Sequence, residues 1–111
     1  TDATFAYQGA GGGVSFEKIK LLENWVHHDL QPDITFYFDL SIKTAISRIK
    51  TKRDLDAYEK EKSLYFKQIK EGYLQRAKLD PNRFKTVDAE MPRNKVNNSI
   101  MIEINQLLVN F

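Results

Sequence analysis

The run Ile34-Thr35-Phe36-Tyr37-Phe38-Asp39-Leu40 constrains the fold of this chain more than any other feature. It is β-branched and aromatic almost without a break, bounded by Pro32-Asp33 before and Ser41 after, which is the pattern of a strand covered on both faces. Such strands belong to parallel sheets with helices on either side, and the flanking segments supply the helices. Ser15 is placed to cap one in which Phe16, Ile19, Leu22 and Val26 recur at spacings of three and four, widened by Leu21 and Trp25, and which ends near His27-His28. Ser41 caps a second, with Ile42, Ala45, Ile46 and Ile49 inward. A third runs from about Tyr58 to Leu79, carrying Leu64, Tyr65, Ile69, Tyr73 and Leu74, and stops at Asp80-Pro81-Asn82. Gly72 inside it reads as a weak position, costing ~1 kcal/mol relative to Ala. Phe84 to Asp88 is a second strand, and Pro92 opens a last helix facing inward with Val96, Ile100, Ile104 and Leu107 or Leu108.

This alternation predicts an α/β fold, a parallel sheet with helices on both faces, yet two strands cannot cover four helices' worth of apolar surface. The pattern therefore predicts strands beyond these 111 residues and an exposed sheet edge in the chain taken alone. Near the start, Gly9-Ala10-Gly11-Gly12-Gly13 reads as a loop, since glycine relaxes the backbone and nothing apolar recurs there. It is poor as a phosphate cradle, because no Lys-Ser or Lys-Thr follows.

Composition removes several classes. Lys and Arg total 17 against 15 Asp and Glu, with both signs scattered, so no basic stripe for a nucleic acid polymer is present. The absence of cysteine excludes disulfides, thiolate metal sites and cysteine nucleophiles, and is compatible with a reducing cytoplasm. The apolar runs are too short for a membrane span. His27 and His28 are adjacent and point apart on a helix, so they do not form a metal site.

Phe5-Ala6-Tyr7-Gln8-Gly9-Ala10-Gly11, Pro32-Asp33-Ile34-Thr35-Phe36-Tyr37-Phe38-Asp39-Leu40, and then Glu71-Gly72-Tyr73, Arg83-Phe84 and Asp88-Ala89 together resemble the bacterial thymidylate kinases, in both order and spacing. The likeness extends over essentially the whole chain and corresponds to the C-terminal part of that single domain, residues 1–111, with the lid at about 48–61. It implies a P-loop, nucleoside-monophosphate-kinase-like fold. It also implies a homodimeric cytoplasmic enzyme that transfers the γ-phosphoryl of ATP to dTMP with Mg²⁺. The family's P-loop and an Asp-Arg pair would precede Thr1, so the chain alone is expected to be inactive. A non-catalytic nucleotide-binding or assembly module built on the same scaffold is the alternative.

By the same resemblance, Thr4 and Gln8 face the base edge of dTMP and Tyr7 lies against its sugar. Arg48, Lys52 and Arg53 belong to the lid, where positive charge meets the transferring phosphoryl group. Arg48 also lies on the adenine side with Ala89 and Glu90. Two positions depart from the pattern of the family it resembles: Gly12 and Ala57 stand where arginine is usual, which implies reduced activity, natural divergence or deliberate replacement.

Overall fold

Two strands, β1 (Thr35–Asp39) and β2 (Phe84–Asp88), run parallel and side by side, with Thr35 opposite Phe84 and Asp39 opposite Asp88. The structure, a computed structural model, describes residues 1–49 and 55–110. Its elements follow the order α1 (Asp2–Thr4), a π-helix (Phe5–Gly11), α2 (Phe16–His27), β1, α3 (Ile42–Ile49), α4 (Leu55–Leu79), β2 and α5 (Arg93–Val109). Each boundary has a local cause. Ser15 accepts from the Lys18 amide at 3.3 Å and Ser41 from the Thr44 amide at 3.2 Å, so both serines cap the helices expected of them. Pro81 ends α4 and Pro92 precedes α5 because neither can donate to a helix ladder.

The Gly9 to Gly13 segment is not the expected loop. Phe5 to Gly11 coils as a π-helix, and only Gly13, at φ 80°, needs the left-handed freedom of glycine. The other glycines serve close packing instead. A Cβ on Gly9 would lie 2.5 Å from the Phe16 ring, and one on Gly11 would lie 2.9 Å from the Tyr65 ring. Gly72, expected to be a weak spot in α4, is buried where a Cβ would lie 2.7 Å from that of Ala10 and 2.9 Å from Ala6 Cα. Small residues on both partners let α4 lie directly against the π-helix, and this is the main helix contact among the described residues.

Among the described residues, the core around that seam consists of Phe5, Ala6, Ile19, Ile69, Phe84, Val87 and Ala89. Several positions expected inside are outside. In α2 the inward residues are Ile19 and Glu23, while Leu22 and Val26 are exposed and Trp25 is 79% exposed. One side of the wide apolar face of α2 thus meets the body and the other is exposed. Leu64 and Leu74 of α4 are exposed as well, while Arg76 takes an inward position. In α5 Val96, Ile100, Ile104 and Leu107 are half-buried and Leu108 is exposed. Ile42 and Ala45 of α3 are half-buried; the side chains of Ile46, Ile49 and Ala57 lie outside the described set. β1 is half-buried rather than covered on both faces, with Phe38 52% exposed, because the sheet has two strands among the described residues.

Candidate functional site

Where the strands begin, an ionic cluster joins five elements. Arg83, which precedes β2, donates from Nη1 to Asp2 Oδ2 at 2.7 Å and to Thr35 Oγ1 at 2.6 Å, from Nη2 to Asp2 Oδ1 at 3.1 Å, and from Nε to Asp80 Oδ2 at 2.8 Å. Arg76 of α4 donates to Asp2 at 3.0 Å, approaches Glu23 Oε2 at 3.6 Å, and lays its guanidinium 3.9 Å over the Phe5 ring. Glu23 also accepts from Thr1 Oγ1 and from Lys20 at 2.8 Å. Burial alone would raise both carboxyls. Hydrogen bonds from Lys20, Thr1 and Gln31 outweigh it at Glu23 and bring its pKa to about 2. At Asp2, burial likewise opposes and the two arginines prevail, so its pKa is lowered. Every charge here has a partner, which makes this a structural knot rather than a reactive site.

Where the strands end, the chemistry is more open. In α/β sheets ligands bind outside the carboxyl ends of the strands, and a cleft of about 230 Å³ lies beside the end of β1. Its walls include Tyr7 of the π-helix, Tyr37 of β1, and Phe66, Ile69, Lys70 and Tyr73 of α4. The Tyr7 and Tyr73 rings meet edge-on at 6.3 Å between centroids, and Tyr37 and Tyr73 meet at 5.4 Å. Burial raises the pKa of the Tyr37 hydroxyl, assisted by the charge of Asp39 and by Tyr73. Burial raises that of Tyr73 too, with contributions from Tyr7 and Asp2. Both hydroxyls therefore stay protonated at neutral pH and can donate hydrogen bonds.

Lys70 Nζ donates to the Leu40 carbonyl at 3.2 Å and stands 3.2 Å from Asp39 Oδ1. That oxygen is shielded from solvent and forms no hydrogen bond, so the ammonium balances its charge without aligning on it. An aromatic wall, donating hydroxyls and one ammonium suit a planar polar ring attached to an anionic group. No group of three His, Cys, Asp or Glu among the described residues could hold a metal ion.

The residues expected at the acceptor site separate in space. Tyr7 lines the cleft; Thr4, at the end of α1, and Gln8, on the π-helix, are exposed and outside its lining. Arg48, Ala89 and Glu90 do come together: Arg48 Nη1 donates to the Ala89 carbonyl at 3.0 Å, and Glu90 accepts from Thr44 Oγ1 at 2.8 Å. Lys52 and Arg53 lie outside the described residues. The sequence reading missed Tyr37 and Lys70 as cleft residues. The available signal for Tyr37 was its place one residue before the strand's exposed position, Phe38; Lys70 carried no local signal at all.

Residues 1–100 match the thymidylate kinase family. Among the relatives, the thymidylate kinase of Methylobacillus flagellatus is 43% identical over 101 residues, 91% of this chain and 50% of its own length. That of Pseudomonas savastanoi pv. phaseolicola is 44% identical over 108 residues, 97% of this chain and 51% of its own. That of Cupriavidus taiwanensis is 46% identical over 89 residues, 80% and 44% respectively. The chain thus spans about half the length of the curated relatives it matches. A two-stranded parallel sheet flanked by helices is the part of an α/β fold that such a span would carry. With the match extending from the first turn to the middle of α5, this chain belongs to the thymidylate kinase family.

Proposed function

We propose that this chain is the C-terminal, acceptor-side part of a thymidylate kinase that transfers the γ-phosphoryl group of ATP to dTMP, giving dTDP and ADP. The observation that carries this reading is Tyr7 in one cleft with Tyr37, Tyr73 and Lys70 at the end of β1. Thymine is planar with polar edges, the deoxyribose is apolar at C2′, and the phosphate is anionic; the aromatic wall and the ammonium answer to each. In this reading Tyr7 packs against the sugar where a 2′-hydroxyl would otherwise sit; Thr4 and Gln8, exposed outside the cleft's lining, are assigned to the base edge by family likeness alone. Arg48, Ala89 and Glu90 form the adenine side, with Lys52 and Arg53 nearer the phosphates. When bound, Mg²⁺ would supply counter-charge to the triphosphate. Catalysis is positioning and charge neutralisation, with no covalent enzyme intermediate. The complete enzyme works as a cytoplasmic homodimer.

Calorimetric titration of the 111-residue chain with dTMP tests the reading. Heat of binding is expected with dTMP, and an affinity about tenfold weaker with the ribonucleotide counterpart, whose 2′-hydroxyl meets the Tyr7 ring. Tyr7→Ala should narrow that difference. Equal affinity for the two nucleotides, or no heat with dTMP, overturns the proposal.

A further inference from the structure

Two consecutive residues after β2 grip two successive turns of α3. Ala89 is buried and fixed to the sheet, because its amide donates to the Asp39 carbonyl at 3.0 Å. Its own carbonyl accepts from Arg48 Nη1 at 3.0 Å. The next residue, Glu90, has its amide held by Asp88 Oδ1 at 3.0 Å and its carboxylate at the other end of α3. There Thr44 Oγ1 donates to Glu90 Oε1 at 2.8 Å. Ser41 Oγ, 3.1 Å from the same oxygen and 2.7 Å from Thr44 Oγ1, shares its proton between the two. These bonds, the Thr44 one first, hold the Glu90 carboxyl below the usual carboxylate range.

Thr44 and Arg48 are four apart and therefore lie on one face of α3, one turn from each other. Arg48 is exposed, with a long side chain that has many rotamers, and Thr44 on the same face is tied to Glu90. We propose that Glu90 is a positioning residue: by binding Thr44 and Ser41 it sets α3 so that the Arg48 guanidinium is held on the Ala89 carbonyl. The inference rests on the kinase reading only for its use, since there Arg48 and Ala89 form the adenine side. The clamp itself stands on this chain's own bonds.

Hydrogen exchange of α3 amides in the 111-residue chain, followed by mass spectrometry, provides the test. Arg48→Ala should speed exchange of α3 about threefold, the loss expected for one net hydrogen bond. In the Glu90→Ala background the same Arg48→Ala change should add almost nothing, because Arg48 has already lost its seat. Thr44→Val should mimic Glu90→Ala from the opposite side, and Glu90→Gln, which keeps an acceptor oxygen, should restore most of the protection. Additive effects of Glu90→Ala and Arg48→Ala would reduce Glu90 to an ordinary helix cap and overturn the proposal. The dTMP titration described above reads the kinase assignment alone, while the exchange cycle decides the clamp in either case.

Discussion

The two ends of the β1–β2 sheet handle polar groups in opposite ways. At the end where the strands begin, Asp2, Glu23, Arg76 and Arg83 are almost wholly buried, and each charged group meets at least one opposite charge. At the end where they finish, Asp39 and Lys70 remain part-exposed, one carboxylate oxygen has no hydrogen bond, and tyrosines face an open cleft. The first arrangement fixes the chain; the second leaves directed polar groups for something else to satisfy. Saturated bonding gives rigidity and incomplete bonding gives binding capacity, so the same short sheet carries both by using its two ends.

That contrast breaks most visibly at Arg83. Arg83→Met should destabilise the chain by about 3 kcal/mol, because the part-buried Asp2 loses one of its two arginine partners. The shift in the urea midpoint at unchanged slope measures it, and a loss below about 1 kcal/mol would mean the knot is no more than a surface network. Next is Gly72→Ala. In an open helix the change would stabilise, but here a methyl must fit 2.7 Å from Ala10, and overpacking should cost about 1–3 kcal/mol. A raised melting temperature would show that the seam can open.

Acid separates the two ends more finely. Glu23 has a folded pKa of about 2, below its ordinary 4.5, so its contribution is present in full above the ordinary value and is lost as pH falls toward 2. Glu23→Gln should therefore flatten the decline of melting temperature across that window, and an unchanged decline would exclude Glu23 as a source of acid sensitivity. The smallest effect is expected at the open end. Lys70→Met should change stability by less than about 1 kcal/mol, since the Asp39–Lys70 pair is part-exposed and poorly aligned. A larger loss would place Lys70 with the knot rather than the cleft.

Element boundaries were legible because they depend on single residues with local mechanisms: Ser15, Ser41, Pro81 and Pro92 act within a turn of where they stand. The parallel pairing was legible too, from an apolar run suited to burial. What was not legible depends on residues far apart in sequence. Nothing near Asp2 indicates that its partners are Arg76 and Arg83, and nothing near Gly72 indicates Ala6 and Ala10. The glycine-rich stretch misled because glycine serves both freedom and closeness, and only the neighbour decides which. Of the acceptor residues inferred from family likeness, Tyr7 lines the cleft while Thr4, on α1, and Gln8, beside Tyr7 on the π-helix, stand outside its lining.

Gly12 closes that π-helix, and a Cβ there would lie 2.8 Å from the Gln8 carbonyl oxygen, which itself accepts from the Val14 amide at 2.9 Å. Position 12 therefore acts as a size limit on the coil: any side chain there, whatever its charge or length, presses its first carbon on backbone that a neighbouring bond holds in place, and the final turn must shift to admit it.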